Sequence, residues 1–209
     1  IVDGVTKLTR VQYPNKEDEQ MENMRKMLMA MAKDIRVIMI KLADRLHNLR
    51  TIDCFAYSKQ LEKVKETERW IIPIANTLNA EYFYRAIKNE CFKIKHAIDG
   101  KTFFEHVENY HKVNMENIED LEFQLQRIFS NEPVSKIKIK PIREYKIFEQ
   151  LETIFKNINI NKISQGQILK VANYNIYLLF ENKEYGDMVG NILNVLNKRL
   201  KDVRIIDAK

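Results

Sequence analysis

Apolar residues recur at spacings of three and four through residues 17–32, where Met21, Met24, Met27, Leu28 and Met31 form one stripe and predict a helix. Asn15 is placed to cap it, and Pro14 marks the turn before. Asp34 opens a second helix, whose apolar bulk comes from Val37, Ile38, Ile40, Leu42, Leu46 and Leu49. A third covers residues 62–78, with Trp70, Ile71, Ile74 and Leu78 on one side. Pro73 lies inside it and removes a backbone donor, so a bend or local distortion is expected there. Residues 81–96, 101–110 and 117–129 continue the helical pattern, and Gly100 is the clearest break between them.

The period then changes. Asn131, Glu132 and Pro133 read as a turn, and residues 136–140 alternate Lys and Ile as a half-buried strand does. Residues 143–158 are amphipathic through Tyr145, Ile147, Phe148, Leu151, Ile154 and Phe155. Two strands are expected at 167–173 and 175–180 with a tight turn near Tyr174, then a helix at 184–200 and a strand at 203–206. That order is β-α-β-β-α-β, the ferredoxin-like sequence of elements. The expected organisation is a mainly α part over residues 1–130, joined near 130–134 to a small α+β ferredoxin-like module over 135–209.

Composition narrows this little. A net charge of +6 permits an anionic partner without naming one. No apolar run reaches the roughly 18 to 20 residues that span a bilayer, and no signal peptide is visible, so a cytoplasmic protein is expected. The chain opens with Ile1 rather than a methionine, which leaves room for a segment upstream. Cys54 and Cys91 lack metal-ligand spacing and are expected to be free thiols in a reducing compartment. Lys136, Lys138 and Lys140 form either a basic stripe or an ordinary solvated strand face.

The most informative stretch is Lys41-Leu42-Ala43-Asp44-Arg45-Leu46-His47-Asn48-Leu49-Arg50-Thr51. On a helix, Asp44, Asn48 and Thr51 fall at i, i+4 and i+7 and share a face, while Leu42, Leu46 and Leu49 turn inward. A carboxylate, an amide and a hydroxyl in a row suit a hard metal ion followed by a polar ligand. A merely polar helix face has the same spacing, and the spacing alone does not separate the two.

The residues themselves do. The stretch resembles the last motif of the HD hydrolase domain of RelA/SpoT homologues, whose pattern is KLADRLHNMRT. The resemblance reaches back through residues 1–8, 25–27 and 30–37, and forward more loosely through Glu66-Thr67 and Ile72-Pro73-Ile74-Ala75, about residues 1–80 in all. It implies an incomplete HD-type helical bundle from a guanosine-3′,5′-bis(diphosphate) 3′-pyrophosphohydrolase of the stringent response. It implies that Asp44 is a ligand to a catalytic Mn2+, and that Asn48 and Thr51 contact the ribose and guanine of the alarmone (p)ppGpp. In such enzymes a metal-activated water attacks the 3′-diphosphate and releases pyrophosphate. Arg45 and Arg50 would meet phosphate or form surface ion pairs.

The departures matter equally. The family's His, its His-Asp pair and its Glu-Asp pair have no counterpart in this chain, and one aspartate does not hold a divalent ion. No catalytic residue is therefore assigned here, and the chain alone is expected to be inactive, the remainder of a longer hydrolase. The alternative is a non-catalytic alarmone-sensing or protein-interaction module derived from that domain. His47, His96, His106 and His111 are expected to be ordinary histidines rather than ligands. After Pro-Ile-Ala, where the family commonly has His-Arg-Leu-Gly, this chain has Asn76-Thr77-Leu78-Asn79. The synthetase signature that follows in long relatives is at best echoed faintly by residues 142–148. The 135–209 module is expected to regulate, dimerise or bind a protein partner, and neither nucleic acid nor a membrane is expected as a partner.

Overall fold

A computed structural model describes Met29, residues 34–130 and residues 134–180. The expected first helix (apart from Met29), the expected helix at 184–200 and the expected strand at 203–206 lie outside the described residues. Helix α1 spans Ile35–Arg50 and is capped by Asp34, whose carboxylate accepts from the Arg36 amide at 2.9 Å. That satisfies one of the donors a helix start leaves open. A 3-10 turn at Ile52–Cys54 leads to α2 (Tyr57–Glu66), a π turn (Thr67–Ile71) and α3 (Ile72–Thr77).

The distortion expected at Pro73 is that π turn. Proline's ring crowds the carbonyl four residues back, and a local widening of the helix relieves the clash. The Ile72 amide reaches back five residues to the Thr67 carbonyl, the bond that defines the wider turn. Asn79 then closes α3 with φ of 50°, and the Ala80 amide bonds the Ala75 carbonyl at 2.9 Å. This is a left-handed helix stop, which accepts glycine best and asparagine next. Asn79 stands where the resembling pattern has a glycine, and asparagine is the next residue to accept this conformation.

Helix α4 (Glu81–Lys95) matches expectation closely. Gly100 breaks the chain after it for a steric reason, because an added Cβ would lie 2.7 Å from the His96 carbonyl oxygen. The helices expected at 101–110 and 117–129 are one helix, α5 (Lys101–Ile128). No glycine or proline lies between them to stop it. Strand β1 (Val134–Pro141), helix α6 (Glu144–Ile154), a 3-10 turn (Ile160–Lys162), helix α7 (Gln165–Val171) and strand β2 (Tyr174–Phe180) follow.

The described elements are mostly helical with one small sheet, and the ferredoxin-like order is not what they show. The strand expected at 167–173 is α7. Ser164 and Gln167 form a reciprocal capping box that starts a helix there, and Ile168 and Val171, three apart, are buried while Leu169 is 59% exposed. Alternation, the mark of a half-buried strand, is absent. Strands β1 and β2 pair directly and antiparallel, from Val134 opposite Phe180 to Pro141 opposite Tyr174.

Packing groups the chain into two units. One comprises Ile1–His111 with Ile142–Ala172, the other Lys112–Pro141 with Asn173–Lys209. The reason is apolar contact. Phe103 and Val107 of α5 are buried with Ile147, Leu151, Ile163 and Ile168, so the segment after β1 belongs to the core of the first unit. A neighbouring cluster in that unit gathers Ile38, Leu42, Leu46, Leu49, Val64, Ile74, Ala86, Ile87 and Cys91. Ile40, expected inside, is 43% exposed. In the second unit Leu125 and Phe129 pack on Val134, Ile137 and Ile139. The outer positions Lys136, Lys138 and Lys140 are solvated, with Lys138 3.5 Å from Glu122. No described helix is long and apolar enough to cross a membrane. Both cysteines are free thiols, Cys54 exposed and Cys91 buried.

Candidate functional site

Helix α1 forms because its apolar residues make a stripe that the rest of the unit covers. Leu42, Leu46 and Leu49 are all at most 4% exposed. At about 100° per residue, Asp44, Asn48 and Thr51 fall within an arc of about 60° on the other side. All three are exposed. The Asn48 amide nitrogen donates to Asp44 Oδ2 at 3.3 Å, which joins two of the three directly. Thr51 ends the helix as its C-cap, and its hydroxyl donates to the His47 carbonyl at 3.1 Å. The threonine proton is thus turned back on the helix, leaving the oxygen's lone pairs as acceptors.

Arg45 and Arg50 form ion pairs, the blander of their two expected roles. Arg45 Nη2 lies 2.9 Å from Glu66 Oε1, with side-chain exposures of 21% and 24%. Arg50 Nε lies 3.5 Å from Glu90 Oε1 and is 47% exposed. Arg45 also donates to the Thr67 hydroxyl at 3.5 Å, and Thr67 is fully buried with its own proton given to the Lys63 carbonyl at 2.7 Å. Burial pushes the Glu66 carboxyl up, but the charges and hydrogen bonds of Arg45 and Lys63 outweigh it and hold the group below its usual range. Glu66-Thr67 carried the resemblance without a role. The structure supplies one, and spacing across 21 residues could not have.

His96 and His111 lie on other elements than α1. The His96 ring packs at a tilt against Phe92, centroids 4.8 Å apart, and its Nδ1 lies 3.0 Å from Asp99. Burial lowers the pKa of His111 against an opposing pull from Glu144. Among the described residues no group of three His, Cys, Asp or Glu side chains comes close enough to hold a metal ion. Asp44 fits as a single ligand, and a divalent ion normally takes three or more from the protein. The described residues therefore do not hold one by themselves.

Residues 1–80 match the HD domain family. A probable guanosine-3′,5′-bis(diphosphate) 3′-pyrophosphohydrolase of Synechocystis sp. is 45% identical over 93 residues, 44% of this chain and 12% of the relative. The guanosine-3′,5′-bis(diphosphate) 3′-pyrophosphohydrolase of Haemophilus influenzae is 41% identical over 96 residues, 46% of this chain and 14% of the relative. Residues 1–80 thus resemble the HD domain of RelA/SpoT-type proteins. A GTP pyrophosphokinase of Brucella suis is 27% identical over 165 residues, 78% of this chain and 22% of the relative. Similarity to the RelA/SpoT proteins thus runs beyond the HD segment, although the matched stretch is at most 22% of these relatives' length.

Proposed function

We propose that this chain carries the closing segment of a guanosine-3′,5′-bis(diphosphate) 3′-pyrophosphohydrolase domain that works with a divalent ion, manganese. Asp44 is one ligand to the ion, and Asn48 and Thr51 meet the ribose and guanine of (p)ppGpp. The observation that carries this reading is the Asp44–Asn48 pair, hydrogen-bonded at 3.3 Å on the open side of a helix whose other side is packed. The HD-domain match over the same residues supports it. A carboxylate oxygen and two neighbouring polar groups with free lone pairs favour a cation and the hydroxyl or N–H donors of a nucleoside. The remaining ligands lie outside the described residues.

The test uses the full-length protein that contains this chain. Incubated with ppGpp and Mn2+, it releases pyrophosphate, and Asp44→Asn abolishes release while leaving the fold intact by circular dichroism. Nucleotide binding without turnover would favour a sensing module instead. Neither binding nor turnover would remove the proposal.

A further inference from the structure

We infer that Arg45 is a positioning residue, whose bonds to Glu66 and Thr67 set the rotation of α1 that presents Asp44, Asn48 and Thr51. The inference rests on the hydrolase reading above and concerns how that site is held.

The argument begins with what an apolar stripe can and cannot fix. On α1 the side chains of Ile38, Leu42, Leu46 and Leu49 occupy an arc of about 80° at 100° per residue. Burying that arc is favourable over a range of small rotations, because apolar contact is non-directional. The polar arc holding Asp44 would turn with it. Rotation is fixed by directional contacts at the edges of the stripe, and this helix has an arginine at each edge. Arg45 flanks it at one edge and Arg50 at the other.

The two flanks are not equal. Arg45 and Glu66 are 21% and 24% exposed at 2.9 Å, whereas Arg50 is 47% exposed and its pair is 3.5 Å long. Solvent weakens the second pair more than the first. Arg45 also has a second acceptor on a buried residue. Thr67 is fully buried, opens the π turn, and has its hydroxyl proton committed to the Lys63 carbonyl, so its oxygen faces Arg45 only as an acceptor. A guanidinium held closely by Glu66 at 2.9 Å and more loosely by Thr67 at 3.5 Å is an angular constraint as well as an attraction. Asp44 is the next residue along the backbone and inherits the setting directly.

The test uses the full-length protein with ppGpp and Mn2+. Arg45→Gln lowers kcat/KM roughly tenfold or more, since misplacing a reacting group by about an ångström can cost on the order of a hundredfold. The exchange Arg45→Glu with Glu66→Arg restores most of the loss. Lys88→Gln, which breaks another half-buried ion pair of the same unit, Lys88–Glu149 at 2.6 Å, leaves kcat/KM within about twofold of wild type. If Arg45→Gln does not fold, Glu66→Gln replaces it, with a smaller fall in the same direction. A folded Arg45 or Glu66 variant with wild-type kcat/KM, in a protein that Asp44→Asn inactivates, overturns the inference and leaves the hydrolase reading standing. So does an equal loss in Lys88→Gln. A wild-type protein that releases no pyrophosphate takes both down together.

Discussion

Asn89 is the polar side chain on which the first unit's assembly depends most clearly. It sits on α4, 2% exposed, and joins that helix to the start of α6. Its amide nitrogen donates to Glu144 Oε2 at 2.8 Å, and its amide oxygen accepts from the Tyr145 backbone N–H at 3.2 Å. Replacing it with alanine removes one bond to a charged group, of about 1.5–3 kcal/mol, and one neutral bond of about 0.5–1.5 kcal/mol. The Tyr145 amide is then left in a site where Asn89 was its acceptor, which adds a desolvation cost. The two bonds alone come to about 2–4.5 kcal/mol. Trp70, the single tryptophan, lies in the same unit, so its fluorescence reports the unfolding of that unit. With a urea slope of roughly 2 kcal/mol/M, the midpoint falls by about 1–2 M.

Asn89→Asp gives the reasoning a sign to be checked. In the wild type, burial pushes the Glu144 carboxyl up, but a hydrogen bond from its own backbone, the Lys93 charge at 3.0 Å and the Asn89 amide together hold it below its usual range. A group depressed in the folded state adds stability above its unfolded pKa, and that stability is lost as pH falls through the folded value. The aspartate variant reverses this locally, because two carboxylates then face each other and one is driven to hold a proton. The deficit of Asn89→Asp is therefore larger at pH 7 and shrinks toward pH 4, while wild-type Glu144 contributes less as the pH drops. A cost below about 1 kcal/mol for Asn89→Ala, or an Asn89→Asp deficit that grows on acidification, would refute the account.

Three further outcomes are expected. Gly100→Ala destabilises by about 1–3 kcal/mol, because the new methyl meets the His96 backbone oxygen at 2.7 Å and a carbonyl cannot turn aside as a side chain can; an unchanged urea midpoint would count against the close approach. At Asn79, with φ of 50°, Asn79→Gly is neutral or mildly stabilising and Asn79→Val costs about 1–2 kcal/mol, as thermal unfolding of the two variants will show. Burial pushes the Cys91 thiol up to about 12 from 9.0, so at pH 8 its thiolate is about a thousandfold scarcer than an ordinary cysteine's. Iodoacetamide then labels exposed Cys54 in the native protein and Cys91 only after unfolding, as peptide mass mapping would reveal.

Those same residues show what sequence could and could not reveal. Periodicity located α1 and α4 and the inward leucines, because a helix buried on one face writes its spacing into the chain. The Asp44–Asn48 pair was readable for the same reason, as both partners sit on one helix. Residues 165–171 misled because a short amphipathic helix and a short strand both bring apolar residues close together. The decisive marker was the Ser164–Gln167 box, which lies at the edge of the segment rather than inside it. Arg45–Glu66 and Asn89–Glu144 join residues 21 and 55 apart, and no local pattern encodes such partners. The grouping of Ile147 and Leu151 with Phe103 is of the same kind, since it depends on tertiary packing that no local pattern encodes.

Helix α4 explains why a segment beyond the readable motif still matters to it. Its apolar positions Ala86, Ile87, Cys91 and Ile94 enter the cluster that holds Leu42, Leu46 and Leu49. Its polar positions reach outward in several directions. Glu90 meets Arg50 of α1, Lys95 meets Glu68 of the π turn at 3.1 Å, and Lys88, Asn89 and Lys93 meet α6. One helix thus braces the motif helix on one side and α6 on the other. A brace of this kind constrains pairs rather than single residues, since an ion pair works with either partner on either helix. Its sequence can therefore change while its mechanical task stays the same. That fits a motif resemblance that fades near residue 80 and a weaker similarity to the RelA/SpoT relatives that extends over 165 residues.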